Sequence, residues 1–244
     1  MDDFYHYDRS FIQLISDAIL FYKTSEEFND IYKGQSFARA SILNSVLSLE
    51  AAANNCLYEI KAPKQFTNDF ERTTTFCKFD FYAKAHKGKF IDRGCHAFQG
   101  VSKLKTLRDS TVHPKNNRIP LELSLDEDKY QNYIELGFLL DAKPCPVTQI
   151  DKNSIFWLSK DAKSALKLVF KFYDYYFVDL LKLSSIERLQ LLCNSMVMGD
   201  QAWIFHHDDV YQAFENLHKI GITQQTIDFK AMPKLNTVNP EDAR

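Results

Sequence analysis

The sequence predicts a mainly α-helical bundle with a small inserted β ribbon and a helical C-terminal extension. Three observations lead there. Gly and Pro number only seven each in 244 residues, too few for the many tight turns of a sandwich or barrel. Apolar residues recur at three- and four-residue spacings over long stretches, which is the period of a helix face. A single stretch near residue 120 switches to strict alternation, the period of a strand.

Taken in order, residues 4–23 place Phe4, Phe11, Ile15, Ala18, Ile19 and Tyr22 on one face and predict a first helix. Gly34 interrupts the pattern. From Gln35 to Ile60, the residues Ile42, Val46, Leu49, Ala53, Cys56 and Ile60 step alternately by four and three, the seam of a long packed helix that ends before Pro63. Thr67 to Ala85 predicts a third helix with Phe70, Phe76, Phe79 and Tyr82, closed by the Lys87-Gly88-Lys89 run. Cys95 to Val112 predicts a fourth, carrying Phe98, Val101, Leu104, Leu107 and Thr111; Pro114 closes it by disfavouring helical geometry at His113.

Ile119, Leu121, Leu123 and Leu125 then alternate as a strand, with Ser154 to Leu158 as its expected partner, so 116–158 reads as an insertion between bundle helices. Ser159 and Asp161 supply an N-cap and a first-turn acid for a fifth helix through Leu183, apolar on most sides at Leu166, Val169, Phe170, Tyr173, Phe177 and Leu180. On such a helix the tyrosines 173, 175 and 176 are expected in the core rather than stacking on bases. Short helices follow at 185–193 and 209–219, before a tail from Ala231. The expected organisation is a bundle over 1–184, insertion included, and an extension over 185–244.

Hydrophobic residues at 45% and charged residues at 25% are ordinary globular usage. Five widely spaced cysteines without a C-x-x-C pair oppose both a disulfide framework and a zinc site, and point to a reducing compartment. The opening MDDFYHYDRS lacks a basic segment before an apolar run, and no stretch of ~18 uncharged apolar residues occurs. The chain is therefore expected to be cytoplasmic and free of the membrane. His206-His207-Asp208-Asp209 resembles a metal tetrad only on paper, since adjacent side chains point to different sides and Asp209 with Gln212 suits a capping box. No metal or cofactor is expected. P-loop, G-x-G-x-x-G, G-x-S-x-G and H-E-x-x-H motifs are absent, which leaves nucleotide hydrolysis, dinucleotide redox and zinc-protease chemistry without support.

Net charge is −2, yet residues 84–118 hold nine Lys or Arg against two acids, a local +7 that leaves −9 for the remainder. Such a segment suits a localised anion site, or a solvated face. Within it, Arg108 and His113 stand five positions apart at a helix end. On an ideal helix that spacing separates their side chains by about 140°, so both face one ligand only if the helix unwinds there. Arginine offers a permanent planar cation for phosphate oxygens and histidine a proton acceptor and donor. Together they suit metal-free RNA cleavage, the His taking the ribose 2′-hydroxyl proton and the Arg stabilising charge on phosphorus oxygens. Lys103, Lys105, Lys115 and Arg118 are the expected phosphate contacts. The same Arg108 and His113 also suit a helix C-cap, and Asp109 either orients the His or pairs with Lys105 at i−4. On the second helix Glu50 and Asn54 interrupt the apolar row Leu43, Leu47, Leu57, either semi-buried and partnered or wet at its edge.

The Leu-x-x-Leu-Arg-Asp approach, the following His-Pro-Lys and the preceding RASILNSVLSLEAAANN resemble the HEPN superfamily over roughly residues 35–183. Arg108, Asp109 and His113 match its R-x4-6-H motif. The resemblance implies an α-helical bundle and a metal-independent endoribonuclease of the toxin or antiviral-effector kind. It also implies a site assembled across a homodimer, with Arg108, Asp109 and His113 catalytic, and a regulatory protein partner is compatible with it; Glu50 and Asn54, from the interrupted row on the second helix, are the expected supporting groups. Asp in place of the commoner Asn after the Arg lowers the local potential for phosphate. A non-catalytic helical module binding a nucleotide or protein is the alternative.

Overall fold

The computed structural model describes residues 4–28, 30–113, 144–198, 201–204 and 208–231. It is mainly helical. In chain order the elements are β1 (Phe4–Tyr7), α1 (Ser10–Glu27), α2 (Ile31–Glu59), α3 (Lys64–Glu71), α4 (Thr75–Lys87), α5 (His96–Val112), α6 (Ser159–Tyr173) with a π-helical continuation (Asp174–Leu180), α7 (Ser185–Leu192), β2 (Ser195–Met198), β3 (Gln201–Ile204) and α8 (Asp208–Lys219). Among these no helix is long and apolar enough to cross a membrane. The chain divides into two compact units: Met1–Ser16 with Leu47–Asp92 and Phe170–Arg244, and Asp17–Val46 with Arg93–Val169.

The first unit holds the small sheet. Its order is β1-β2-β3, all antiparallel, with Tyr5 opposite Val197 and Val197 opposite Ala202. The expected first helix over 4–23 is thus corrected to a strand followed by a helix. Phe4 and its two tyrosine neighbours carry strand propensity, and β2 supplies the ladder partner that local pattern does not reveal. Arg9 pins the strand end: its backbone N–H donates to Asn194 Oδ1 at 2.6 Å, and its guanidinium to Cys193 O at 3.2 Å and Ser195 Oγ at 3.0 Å.

The core of this unit is aromatic. Phe11, Phe79, Phe172, Tyr173, Tyr176 and Phe177 are all buried, meeting edge-to-face as in Phe79–Tyr176 at 4.6 Å and Phe11–Tyr173 at 5.3 Å. Burying each such ring contributes about 2 kcal/mol. The phenols are satisfied: Tyr176 Oη donates to Phe79 O at 2.6 Å and Tyr173 Oη shares a 2.7 Å bond with Ser48. Tyr173 and Tyr176 are core residues, as their helix pattern predicts, and Tyr175 is half-buried. The expected α-helix through Leu183 changes to π winding after Tyr173. There Asp174 turns to bind the segment that follows α8, accepting from Gln225 N, Thr226 N and Thr226 Oγ1 at 2.7–2.9 Å. Arg188 secures the same segment through Thr226 O and Gln225 O, both at 2.9 Å.

One helix expected over 67–85 is two, α3 and α4. Thr74 starts the second, its side chain accepting from Cys77 N, and Gly88 at φ 67° ends it in the left-handed conformation open to glycine. α7 begins with a full capping box, Ser184 N donating to Glu187 Oε2 at 2.7 Å and Glu187 N to Ser184 Oγ at 3.3 Å.

In the second unit, α2 runs straight through Gly34 rather than starting after it. A Cβ at Gly34 would lie 3.3 Å from Ser25 O, so glycine lets the two chain segments approach, and Ser41 Oγ donates to Ala18 O at 2.7 Å farther along. The predicted seam of α2 is buried at Ile42 and Val46 in this unit and at Leu49, Ala53 and Cys56 in the first. Gly100 similarly admits Leu168, whose Cδ2 lies 2.6 Å from where a Cβ would stand.

Within the expected β ribbon, Ile119–Leu125 and the rest of 114–143 fall outside the described residues. Its expected partner at Ser154–Leu158 is not a strand. Ser154–Phe156 is a 3₁₀ turn with Asn153 Oδ1 accepting from Ile155 N at 3.1 Å, and Trp157 is buried with Nε1 donating to Asp151 O at 2.7 Å. The backbone follows these side-chain bonds in place of a ladder. Asp161 then holds the entry to α6, accepting from Leu158 N at 2.9 Å and Asp151 N at 3.2 Å.

Candidate functional site

α5 forms because Cys95 caps it, with Sγ accepting from Phe98 N, and because Phe98, Val101, Leu104 and Leu107 bury one face. That packing fixes where the opposite, basic face presents its side chains. Three of the expected site residues meet there. Lys105 Nζ donates to Asp109 Oδ2 at 2.9 Å, the i,i+4 pairing its spacing predicts, and Arg108 Nη1 stands 3.1 Å from Asp109 Oδ1. Asp109 therefore lies between two cations, one on each oxygen. The Arg108 side chain is only 13% exposed, against 41% for Asp109.

His113 occupies the C-cap. Its φ of −122° and ψ of 64° leave helical geometry while its N–H still donates to Asp109 O at 3.0 Å. The imidazole residue is exposed, as is Lys103. Lys115 and Arg118 lie outside the described residues, as do His206 and His207. Asp208 and Asp209 sit exposed in the first turn of α8, where carboxylates complement the helix dipole. Among the described residues no group of three His, Cys, Asp or Glu is placed to hold a metal ion.

Glu50 and Asn54 belong to the first unit and are half-buried there. Their neighbour is Lys78, which sequence reasoning does not single out. Lys78 is 7% exposed and its Nζ donates to Asn54 Oδ1 at 2.7 Å. Burial pulls the ammonium below its ordinary value, and the charges of Glu71 and Glu50 work against that shift. The amide and acid that interrupt the α2 stripe thus serve a buried lysine.

The second unit holds one more group of chemical interest. Burial pushes the Cys145 thiol up, but hydrogen bonds from the Thr148 side chain and the backbone N–H groups of Thr148 and Val147, with the charge of Lys103, outweigh it and leave the thiol below its ordinary value. No signal in the sequence marks it, because Cys145 lies in no motif. All five cysteines are free thiols.

No family model, curated protein or solved structure matches the chain.

Proposed function

We propose that the chain is a metal-independent endoribonuclease of the HEPN kind, working from the end of α5. The observation that carries this reading is the departure from helical geometry at His113, one residue past a turn that presents Arg108. An Arg-x4-His pair needs such unwinding to address one phosphate. In the reaction His113 takes the 2′-hydroxyl proton, the 2′-oxygen bonds to phosphorus and the bond to the 5′-oxygen breaks. Arg108 holds the equatorial oxygens, and the departing 5′-oxygen receives its proton from the His113 of a second chain. In-line displacement puts the attacking and leaving oxygens on opposite sides of phosphorus, which is the reason for a homodimer. Lys103, Lys105, Lys115 and Arg118 supply the surrounding positive potential, and a cytoplasmic effector of the toxin or defence type under a protein regulator is the setting this chemistry fits.

The test is cleavage of single-stranded RNA by the full chain in EDTA, with detection of 2′,3′-cyclic phosphate ends. Arg108→Ala and His113→Ala should each lower the rate by about 100-fold or more with the circular dichroism unchanged, and DNA of the same sequence should survive. Equal cleavage by all three proteins, or dependence on added metal, overturns the mechanism.

A second reading, a non-catalytic nucleotide- or protein-binding module, is favoured by one observation. Asp109 already neutralises both Lys105 and Arg108, as it would in a purely structural helix end. RNA binding without cleavage, weakening steeply with salt, would select it.

A further inference from the structure

The first unit contains a cleft of ≈ 710 Å³, within the ~300–1,000 Å³ of small-molecule sites. Its lining includes Arg9, Asn55, Tyr82 and His86. Tyr82 is buried, and His86 lies over it with ring centroids 4.8 Å apart and planes at 19°. His86 is itself exposed, so the stack offers a further ring position. Arg9 is 12% exposed, and the nearest carboxylate oxygen to it, on Glu59, stands 3.8 Å from Nη2, too far for a hydrogen bond. Asn55 Nδ2 is buried with no hydrogen-bond partner among the described residues, a state that buried amides rarely keep.

We propose that this cleft binds a small planar aromatic anion, its charged group at Arg9 and its ring extending the Tyr82–His86 stack. The Arg9 guanidinium donates to the neutral acceptors Cys193 O and Ser195 Oγ but, among the described residues, to no carboxylate, which leaves its charge short of a close counter-charge. Burial pulls Arg9 below its ordinary value and the charge of Glu59 offsets this only in part. An anionic group that reaches Arg9 forms the strong planar contact that Glu59 does not. Lys61, exposed on the same lining, adds positive potential. Of the acids there, Glu187 is engaged by the Ser184 cap, Glu59 faces Arg9, and Asp8 is solvent-exposed. A ring carbonyl or an imine-type ring nitrogen, such as a purine carries and an indole does not, supplies the acceptor that the Asn55 amide lacks. The cleft and its chemistry lie wholly in the first unit and are independent of cleavage by Arg108 and His113.

The class has two sources, nucleoside monophosphates and aromatic carboxylates, and titration calorimetry of the full chain separates them. The probes are 5′-AMP and indole-3-acetate, with adenosine and indole-3-acetamide as uncharged counterparts. At least one anion should bind saturably below about 1 mM, its counterpart about tenfold more weakly. Binding of 5′-AMP alone assigns a nucleotide, indole-3-acetate alone a carboxylate, and mutual competition a site that reads only ring and charge. Arg9→Gln and His86→Ala should each weaken binding about tenfold. Where Arg9→Gln loses helicity, the exposed positions His86→Ala and Lys61→Glu decide. Arg108→Ala should leave affinity unchanged even if it abolishes RNA cleavage. No saturable binding of either anion, equal binding of the uncharged counterparts, or unchanged affinity in His86→Ala overturns the proposal.

Discussion

Arg9 and Arg108 are equally buried, at 12% and 13% side-chain exposure, and each faces a carboxylate. They differ in reach. Arg108 meets Asp109, the next residue on the same helix, whereas Arg9 finds its backbone and hydroxyl acceptors 184 and 186 residues away. A contact between sequence neighbours persists in part whenever the helix forms, even in an unfolded chain, and so contributes little to the stability gap. Contacts of long separation exist only in the fold. Equal burial therefore marks two settings: Arg9 ties the first unit's sheet to its helices through distant acceptors, and Arg108 is paired with its own neighbour Asp109.

The largest effect expected from this contrast is on stability. Arg9→Ala should cost about 3 kcal/mol, because Cys193 O and Ser195 Oγ lose a charged donor and Glu59 loses a nearby cation. Arg108→Ala should cost about 1 kcal/mol. Urea denaturation of both variants measures the difference, and equal midpoints would break the comparison.

An intermediate effect concerns pH, with the buried Asp161 in one unit and the half-buried Asp174 in the other. Burial raises Asp161 and Asp174 above the usual carboxylate value of 3.8, with the hydrogen bonds each accepts working against it. A raised carboxylate favours the fold most where it is protonated, near and below 3.8, and loses that contribution as pH rises through its folded value. Wild type should therefore gain on Asp161→Asn and on Asp174→Asn between pH 7 and pH 4. Parallel stability curves for wild type and either variant would contradict the shift.

The smallest effect is expected for Asp109→Asn. With its acid 41% exposed, the pair network should contribute about 0.5 kcal/mol, and less at 1 M salt. The same substitution should strengthen RNA binding by releasing Lys105 and Arg108. Weaker binding would place Asp109 in the ligand site itself.

What the sequence discloses follows the same division between local and distant. The seam of α2 and the face of α5 are periodic and legible, as is the Lys105–Asp109 pair at i,i+4. The break between α3 and α4 carries a readable sign, since Thr74 is a preferred N-cap type, but the aromatic period across it conceals the stop. Gly34 misleads because glycine breaks isolated helices yet is needed where Ser25 O comes within 3.3 Å. Lys78 with Asn54 joins residues 24 apart on two helices, and β1 with β2 joins strands at opposite ends of the chain. No local pattern encodes either. At the candidate site the residue types and the helix end are legible, whereas the closeness of Arg108 to Asp109 is a matter of rotamers.

The bonds from Arg9 to Cys193, Asn194 and Ser195 also set an order of events during synthesis. At ~5–20 residues per second, the segment from Phe4 to Arg9 is made roughly 10–40 s before the strand that completes it. For that interval an aromatic strand edge has no ladder partner, which makes the nascent chain a substrate for chaperones and a hazard for neighbouring copies on one messenger. Slowing translation near residue 190 should lengthen the exposure and lower soluble yield, while supplying residues 185–204 as a free peptide in a coupled synthesis should restore it.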